Sequence, residues 1–444
     1  MIIKEFKTTL NPLEVYNIFK NEINTILLDS SKEDKDLSKY SFIGINPFLI
    51  FESYGEDTYI NGEKIAGNPF EILEGLLEKY EYEDSREDIP LKSGGIGYIS
   101  YDTGRTLEVI PDTSAEDFSV PDMRFVFYKN IIAFDLINNK SYLTSIDDGK
   151  ELSEIISRIE NGKKLAEEYI EEKGTKFISN FTKDEYKKAI TKLKDYITAG
   201  DVYIANMTQR FTCECINDPF QVYKNLRTIN KAPFAAYMNF ADFKIISSSP
   251  ERFIQVKDRK AHTRPIKGTR PRSQNPVEDE KNKQELINSE KDKAELLMVV
   301  DLERNDFSKV CKKNTVKVTE LFALEEYATV FHLVSTVEGE LQDEVSAVKC
   351  MKECFPGGSI TGTPKIRAME IIEELEGLKR NIYTGAMGYF DFNGNSDFNI
   401  AIRTIVHKDN KAYFGVGGGI TCESDEEEEY NETLDKAKAL MKVL

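Results

Sequence analysis

The stretch 386–421 constrains the fold more than any other part of the chain, because apolar and polar residues alternate there in runs that turn residues separate. The runs predict three β-strands, and the first two are joined through Asn393-Gly394, a dipeptide typical of tight hairpins. Strands joined by a hairpin run antiparallel. The carboxyl-terminal half is therefore predicted to hold an antiparallel sheet.

Further strands and several helices are predicted elsewhere in the chain. Strand-like runs occupy 26–31, 40–53 and 94–102, and a hairpin is predicted from 124–139 and 141–146. Helical patterns cover 68–80, 149–172, 182–199, 276–304 and 365–378, and the chain closes on another helix. Helices mixed with mainly antiparallel strands indicate the α+β class.

The length of 444 residues is too great for one simple hydrophobic core, so we expect two domains or one large interlocked unit. A charged helical segment lies between the two halves and is the candidate linker. The predicted division is an amino-terminal domain at 1–148, a linker helix at 149–178 and a carboxyl-terminal domain at 179–444.

Composition excludes several classes of function. The net charge of −18 argues against a general nucleic-acid binder, which needs a basic face. The six cysteines lack zinc-ribbon spacing and only three histidines accompany them, so reduced thiols are expected. The charged start lacks a signal-peptide core, and no apolar run reaches the roughly 18 residues of a membrane span. The chain is therefore expected to be cytoplasmic, with neither membrane nor nucleic acid as a partner.

Lys267 lies in a strongly basic stretch of the sequence. Nearby like charge from Arg264, Arg270 and Arg272 favours a neutral, nucleophilic lysine amine. Glu251 lies sixteen residues upstream and offers an acid. The alternative is a solvated basic turn, and spacing alone favours that alternative.

Two pairs of acidic residues are spaced i, i+3 on predicted helices. Asp292 with Glu295, and Glu429 with Glu432, each face one way from their helix. If the pairs face each other, their oxygens suit a hard divalent cation such as Mg²⁺. The helix dipole alone also favours acidic residues near a helix start, and spacing alone favours this second explanation.

Two glycine-rich segments are candidate sites for an anionic ligand. Residues 355–365, which include Ser359, form a Gly- and hydroxyl-rich loop that leads into a helix, where backbone N–H groups can bind an anion. Gly417–Gly419 end a strand and let backbone approach a ligand closely. Tight turns are the alternative for both. The nearby cations Arg403, Lys365 and Lys436 favour a small substrate with several carboxylates.

Many motifs in order along the chain resemble those of the chorismate-utilising enzymes. They are SSSPERF, PIKGTRPR, AELLMVVDLERND, ATVFHLVSTVEG, FPGGSITGTPK, IYTGAMGYF, FNIAIRT, GVGGGIT and EEYNETLDKA. The resemblance is strong across 180–444 and weaker in LLDSS and YSFIGINP near the amino terminus. It implies large, mainly antiparallel β-sheets packed as a sandwich with flanking helices.

Two features resemble the branch of this family that makes 4-amino-4-deoxychorismate for 4-aminobenzoate and folate. Anthranilate synthases usually have Ala where this chain has Lys267, and residues 357–362 also follow the aminodeoxychorismate form. The resemblance implies that Lys267 attacks C2 of chorismate while Glu251, as general acid, assists departure of the C4 hydroxyl. Ammonia then adds at C4 and displaces the lysine. Anthranilate synthase component I, or a silent regulatory subunit, stays the alternative.

The resemblance also implies roles for the remaining candidates. Glu295 and Glu432 match the Mg²⁺ ligands of the family, with Glu429 and Asp292 beside them, and His332 matches its active-site histidine. Before the resemblance is considered, a lone histidine on an apolar strand is more typical of a hydrogen-bonded core residue. Substrate contacts are implied for Tyr383, Arg403, Gly417, Gly418, Gly419 and Lys436, alongside Ser359 in its glycine-rich loop.

One departure and two expected partners complete the prediction. Ile204 lies where ammonia-using relatives commonly have Gln and water-using relatives have Lys, so water activation is not expected. No glutaminase nucleophile motif is found in the sequence, so ammonia is expected from a separate glutamine amidotransferase subunit. Leu28, Asp29 and Ser30 match a segment that forms a tryptophan pocket in relatives.

Overall fold

The computed structural model describes residues 1–31, 37–82, 89–165, 174–327 and 330–444. Its strands are β1 (Ile2–Phe6), β2 (Thr25–Asp29), β3 (Tyr40–Tyr54), β4 (Asp57–Ile60), β5 (Glu63–Ile65), β6 (Gly94–Ile99), β7 (Met123–Asp135), β8 (Lys140–Ser145), β9 (Ile178–Ser179), β10 (Ile204–Glu214), β11 (Phe234–Asn239), β12 (Lys244–Ser249), β13 (Arg252–Lys257), β14 (Lys260–Arg264), β15 (Ile266–Pro271), β16 (Lys317–Glu326), β17 (Val330–Glu340), β18 (Gly362–Thr363), β19 (Ala386–Asp391), β20 (Ser396–Ile400), β21 (Thr404–Lys408) and β22 (Lys411–Ile420).

The helices are α1 (Pro12–Phe19), α2 (Pro69–Lys79), α3 (Gly104–Leu107), α4 (Leu152–Glu160), α5 (Lys183–Ala199), α6 (Pro219–Ile229), α7 (Pro276–Asn288), α8 (Glu290–Val310), α9 (Ala347–Cys354), α10 (Lys365–Glu376) and α11 (Glu426–Val443). Single 3₁₀ turns lie at Tyr101–Thr103 and Gly358–Ile360. None of these helices is long and apolar enough to cross a membrane.

The long strands β3 and β7 pair along most of their length and join two arms of one bonded network. The first arm runs β1-β8-β7-β3-β2-β11-β12-β21-β22-β10, and the second runs β7-β6-β19-β20-β13-β14-β17, with β15 and β16 also on β17. Every pairing between these strands is antiparallel. The antiparallel α+β fold predicted from the sequence is confirmed.

Side chains that alternate along the strands pack the two arms face to face. Met238 of β11 and Tyr98 of β6 belong to one buried cluster, which therefore holds residues of both arms. The neighbouring Tyr237 points the other way, into a cluster that contains Phe220 of α6 and Tyr16 of α1. The period of two in a strand thus buries both faces, one against the other arm and one under helices.

The amino-terminal and carboxyl-terminal segments interlock through these arms. Strand β2 pairs with β11 through Asp29↔Ala235, and β6 pairs with β19 through Ile99↔Ala386. The division at 148 and 179 stays a prediction, and the sheets are continuous across it. The predicted linker helix is shorter than expected, because α4 ends at Glu160 and 161–165 are not helical; residues 166–173 lie outside the described part.

Two further element boundaries differ from the prediction. The helix expected at 276–304 is two helices, because Ser289 leaves helical geometry at ψ 104° and its side chain accepts from the backbone N–H of Asp292, capping α8. The three strands expected in 386–421 are four. Arg403 has a left-handed φ of 52°, and there the chain leaves β20 in the second arm and enters β21 in the first.

Candidate active site

Lys267 and Glu251 meet at the single turn that contains Ser359. Strand β15 carries Lys267, whose Nζ donates to the backbone oxygen of Ser359 at 3.3 Å. The Ser359 hydroxyl hydrogen-bonds the carboxyl group of Glu251, which lies in the bend between β12 and β13. The amine and the acid that the sequence singled out are therefore brought together by one residue.

Glu251 is enclosed by the fold and only 6% exposed. Burial raises its pKa, and the hydrogen bond from Ser359, the charge of Lys267 and the backbone N–H of Ile266 reduce that rise without cancelling it. A raised pKa keeps more of the carboxyl group protonated near neutral pH. Glu251 is therefore suited to act as a general acid.

The arginines expected to crowd Lys267 are engaged elsewhere. Arg264 pairs with Glu325 at 2.6 Å, and Arg272 pairs with Asp279 at 2.8 Å. Arg270 bonds Asp292 at 3.1 Å and also Glu285 at 3.0 Å. The expectation of a cationic pocket was wrong, because each guanidinium finds a carboxylate of its own. The groups that interact with the charge of Lys267 are instead the carboxyl groups of Glu251, Glu295 and Glu432.

Two glycines at the end of β22 form the floor of the site. A Cβ on Gly419 would lie 3.3 Å from Lys267 Nζ, and a Cβ on Gly418 would lie 3.3 Å from Glu432 Oε1. Gly417 instead faces β10, where a Cβ would come within 2.4 Å of the Met207 carbonyl oxygen. Gly417 thus lets β22 pack closely against β10, whereas Gly418 and Gly419 leave open space between Lys267 and the carboxylates of α11.

Three carboxylates from two helices face this floor. Glu429 and Glu432 lie on α11, and Glu295 lies on α8. Burial raises the pKa of both Glu295 and Glu429, and the charge of Glu429 adds to the rise at Glu295. Burial acts to raise the pKa of Glu432, but Lys436, Lys267 and Lys291 together outweigh it and the pKa is lowered. This helical wall therefore concentrates negative charge beside the glycines.

The fit of a Mg²⁺ ion to this wall rests on its oxygen donors and on the space above Gly418. A Cβ there would lie 3.2 Å from Glu429 Oε2 and 3.3 Å from Glu432 Oε1, so glycine leaves room that any other residue would fill. Within the residues that the structure describes, no group of three or more His, Cys, Asp or Glu side chains converges closely enough to hold a metal by itself. The donors fit a hard cation that also binds oxygens of a ligand, and the metal itself stays a prediction. Asp292 is held by Arg270 instead.

Two cations and a tyrosine line the side of the site nearest α11. Lys436 Nζ lies 2.6 Å from Glu432 Oε1 and donates to the Gly417 carbonyl at 2.7 Å. Arg403 donates to the Lys436 carbonyl at 2.9 Å, and burial lowers its pKa more than the charges of Tyr383 and Glu432 raise it. Within the described chain Arg403 makes no ion pair, so its guanidinium has donors to offer to a substrate carboxylate.

His332 lies on β17, across from the strand that carries Lys267. The register pairs Lys267 with Leu333 and Thr269 with His332, with a bulge at Gly268 between them. His332 Nδ1 is 2.9 Å from the Thr269 hydroxyl, and its ring meets Tyr327 edge-on at 5.1 Å between centroids. The structure places the histidine next to the strand that carries Lys267; its catalytic role stays a prediction.

Ile204 closes the site beside Lys267. Its Cδ1 lies 3.1 Å from where a Gly419 Cβ would be, the same point that Lys267 Nζ approaches. The residue is buried at the start of β10 and pairs with Thr363. An apolar side chain therefore lies where a polar group would contact the Lys267 amine.

Sequence reasoning missed Glu303, a buried acid of α8. It interacts with Glu251 through their charges and accepts a hydrogen bond from Thr263 Oγ1 at 3.2 Å. A helical signal was available: Glu303 lies on the same face as Leu296, Val300 and Phe307, which are buried apolar residues. A buried carboxyl group among the apolar residues of a helix face marks a position that packing does not explain.

The amino-terminal segment that was predicted to form a pocket lines a cavity of about 230 Å³ with Leu28, Asp29 and Ser30. Asp29 is buried, pairs with Arg227 at 2.5 Å and accepts from the Tyr223 hydroxyl at 2.9 Å. These bonds fix the segment. The cavity lies where the sequence placed it, and its ligand stays a prediction.

The chain is similar in sequence to known proteins over nearly its whole length. The sequence model of a family described as chorismate binding enzyme matches residues 24–442. Anthranilate synthase component 1 of Acetivibrio thermocellus is 36% identical over 98% of this chain and 92% of that protein. Aminodeoxychorismate synthase component 1 of Escherichia coli (strain K12) is 36% identical over 94% of this chain and 93% of that protein.

The fold is equally similar to a solved structure. The crystal structure of anthranilate synthase component I from Streptococcus pneumoniae TIGR4 superimposes with a TM-score of 0.82 at 30% identity, covering 92% of this chain and 94% of that one. Relatives of both names therefore match nearly the whole chain. Overall identity does not separate the two activities, so the difference must be sought in individual residues of the site.

Proposed function

The chain belongs to the chorismate-binding enzyme family, and from this premise we propose that it converts chorismate and ammonia to 4-amino-4-deoxychorismate. The observation that carries the proposal is the position of Lys267, with its amine 3.3 Å from the Ser359 carbonyl and Glu251 bound to the hydroxyl of the same serine. A nucleophile beside an acid whose pKa is raised by burial suits a substitution at two ring carbons.

In the proposed reaction the Lys267 amine attacks C2 of the ring, the double bond shifts, and the C4 hydroxyl leaves as water with the proton of Glu251. Ammonia then adds at C4 and the lysine departs from C2. The enolpyruvyl group is retained. Arg403 and Lys436 are proposed to bind substrate carboxylates, beside Tyr383, Ser359 and the glycine floor.

A Mg²⁺ ion bound at Glu295 and Glu432, with Glu429 alongside, would neutralise the negative charge of the ring carboxylate. The residues of the chain do the remaining work. Glu251 holds and releases the proton, Ser359 orients the acid and the amine, and Ile204 and Gly419 confine the amine to one approach. His332 is proposed to complete the wall that faces the substrate.

Ammonia is proposed to come from a separate glutamine amidotransferase subunit, which the name "component 1" of the relatives favours. The cavity at Leu28–Ser30 is proposed to hold tryptophan. Anthranilate synthesis is the second candidate, because a relative of that name is as similar to this chain as the aminodeoxychorismate synthase is.

The product distinguishes the two candidates. The purified chain is incubated with chorismate, Mg²⁺ and ammonium, and a lyase is added that converts aminodeoxychorismate to 4-aminobenzoate. We expect 4-aminobenzoate to be the main aromatic product. Anthranilate as the main product would overturn the proposal, and absence of any turnover would favour a silent regulatory subunit.

The covalent step has its own test. Mixing the chain with chorismate and Mg²⁺ without ammonia should give an adduct in the intact-mass spectrum, and Lys267→Ala should abolish it. The matched control is Lys436→Ala, which removes a lysine of the same site and should still form the adduct. An adduct that persists in Lys267→Ala would exclude this lysine as the nucleophile.

A further inference from the structure

A second cavity, of about 710 Å³, lies against α8 and the start of α10, beside the proposed chorismate site. Tyr203 lines this cavity, whereas the side chain of its neighbour Ile204 meets Gly419 in the site. Asp306 and Lys365 also line the cavity. The two spaces are thus separated by a wall formed by the start of β10 and by α8, which carries buried acidic groups.

Glu303 and Asp306 form the acidic part of this wall. They are three residues apart on α8, which places them on one face of the helix, and they are 7% and 3% exposed. Asp306 binds Lys365 Nζ at 2.6 Å and Lys309 Nζ at 3.2 Å at the cavity end. At the other end, Glu303 is held by the Thr263 hydroxyl.

Charge interactions link these groups to Glu251. Burial raises the pKa of Glu303 well above its ordinary value, and the charges of Glu251 and Asp306 raise it further, whereas Thr263 and Lys365 lower it. Burial thus favours the protonated form of Glu303. Thr263, which holds it, precedes Arg264 on β14, and Arg264 pairs with Arg252, the chain neighbour of Glu251. Glu303 therefore lies between the proposed catalytic acid on one side and the cavity-lining Asp306 on the other.

The proposed reaction needs a supply of protons behind Glu251. Chorismate, ammonia and one proton give water and an amine that is itself protonated at neutral pH. Each turnover therefore leaves Glu251 as a carboxylate that must regain a proton. Glu251 is only 6% exposed, and a bound ring would cover it from the side of the glycine floor.

We propose that Glu303 is a relay residue that returns a proton to Glu251 from solvent in the second cavity, with Asp306 and Lys365 at the cavity end of the path. In the transfer the Glu303 O–H bond breaks as an O–H bond forms on Glu251. Glu303 then regains a proton from solvent at the cavity end, where an O–H bond of hydronium breaks as the Glu303 O–H bond re-forms, and no oxidant or reductant is needed. The inference rests on the proposed function.

The test separates the first turnover from later ones. Adduct formation without ammonia uses the proton already present on Glu251, so Glu303→Gln should form the adduct at the wild-type rate. Steady-state amination needs the acid to be renewed, and we expect it to fall about 10-fold or more. Glu303→Asp keeps a carboxyl group and should recover part of the steady-state rate.

Two further variants control for structural damage. Asp301→Asn changes an exposed acid of the same helix that lines the same cavity and pairs with Arg304, and it should leave both rates unchanged. Thr263→Val keeps the shape of a buried residue and removes the hydroxyl that orients Glu303. Its smaller loss should be confined to the steady state.

The rates of the Glu303→Gln variant either support the relay or contradict it. Equal loss of adduct formation and steady-state turnover in Glu303→Gln would assign Glu303 a structural role, and no loss in either would exclude the relay. If the wild-type chain itself forms no adduct and no amine, the proposed function fails, and the relay fails with it. That result is recognised before any variant is made.

Discussion

Two lysines reach the proposed site from opposite walls and are held in different ways. Lys436 is fixed by Glu432 at 2.6 Å and by the Gly417 carbonyl at 2.7 Å. Lys267 makes one bond, of 3.3 Å, to a neutral carbonyl, and within the described parts of the chain it has no ion pair. A lysine locked to a carboxylate is an anchor, whereas an amine with one weak partner is free to react.

The acids on the two sides of the site differ as well, because their pKa values are shifted in opposite directions. Burial raises the pKa of Glu251, and only part of the rise is offset. At Glu432 burial acts in the same direction, but Lys436, Lys267 and Lys291 together outweigh it and the pKa is lowered. When the surroundings shift the pKa values of two carboxyl groups apart in this way, one is suited to carry a proton and the other to remain charged. In the proposed reaction the β15 side therefore supplies the reacting groups and the α11 side binds the substrate.

The largest effect is expected from Glu251→Gln, which keeps the shape of the side chain and removes its proton. The steady-state kcat should fall about 1000-fold, within the range typical of general acids. Because the pKa of Glu251 is raised, the acid form is present below it and is lost as pH rises through it. The wild-type kcat at saturating ammonia should therefore decline on the alkaline side, and this decline should be absent from the variant. An alkaline decline that survives in Glu251→Gln would give the acid role to another group.

Lys267→Met should lower kcat at least about 100-fold, or about 2.7 kcal/mol of transition-state stabilisation, because ammonia must then attack without the covalent intermediate. The chorismate KM should change little, since the substrate carboxylates are proposed to bind Arg403 and Lys436 and not this lysine. Lys267→Arg serves as the control, because it keeps the charge but is a poor nucleophile. A variant with arginine that retains full kcat would mean that the charge, and not the amine, is what matters.

The anchoring wall predicts the opposite pattern for Lys436→Met. The chorismate KM should rise about 10-fold, equivalent to about 1.4 kcal/mol of binding. Adduct formation at saturating chorismate should stay close to the wild-type rate. A fall in that rate with an unchanged KM would remove the distinction between the two lysines.

The glycine floor allows both walls to be probed by one added methyl group. Gly419→Ala places a Cβ 3.3 Å from Lys267 Nζ and should slow adduct formation about 5-fold, since a crowded site costs about 1 kcal/mol. Gly418→Ala places it beside Glu429 and Glu432 and should instead raise the Mg²⁺ concentration needed for half-maximal activity. The same response in both variants would show that the floor acts as a unit.

Much of the fold follows from local patterns in the sequence. The hairpin at Asn393-Gly394 forms as predicted, and the helix predicted at 365–378 forms over Lys365–Glu376, because turn and cap chemistry act over a few residues. The break at Arg403 was not foreseen, since FNIAIRT reads as one alternating run. The chain changes from one arm to the other there, and only the pairing of distant strands imposes that change.

The sequence predicted which residues form the site better than it predicted their charged partners. Lys267 and Glu251 are brought together as the sequence suggested, although sequence proximity to Arg264 misled, because that guanidinium crosses to Glu325 on β16. Whether neighbours in sequence face each other depends on the sheet, and the sheet is set by partners many residues away. Glu303 was visible as a charge on an apolar helix face, but its link to Glu251 depends on tertiary packing.

The smallest effect is expected where the chain departs from its relatives. Ile204→Gln replaces an apolar side chain at the point that Lys267 approaches with an amide of similar length, which can hydrogen-bond ammonia. The KM for ammonium should fall about 3-fold, in line with one neutral hydrogen bond, and the chorismate KM should not change. Ile204→Met is the apolar control and should leave both constants alone. If glutamine gives no gain, ammonia does not pass Ile204 on its way to C4, and its approach must be sought on the side of Glu251.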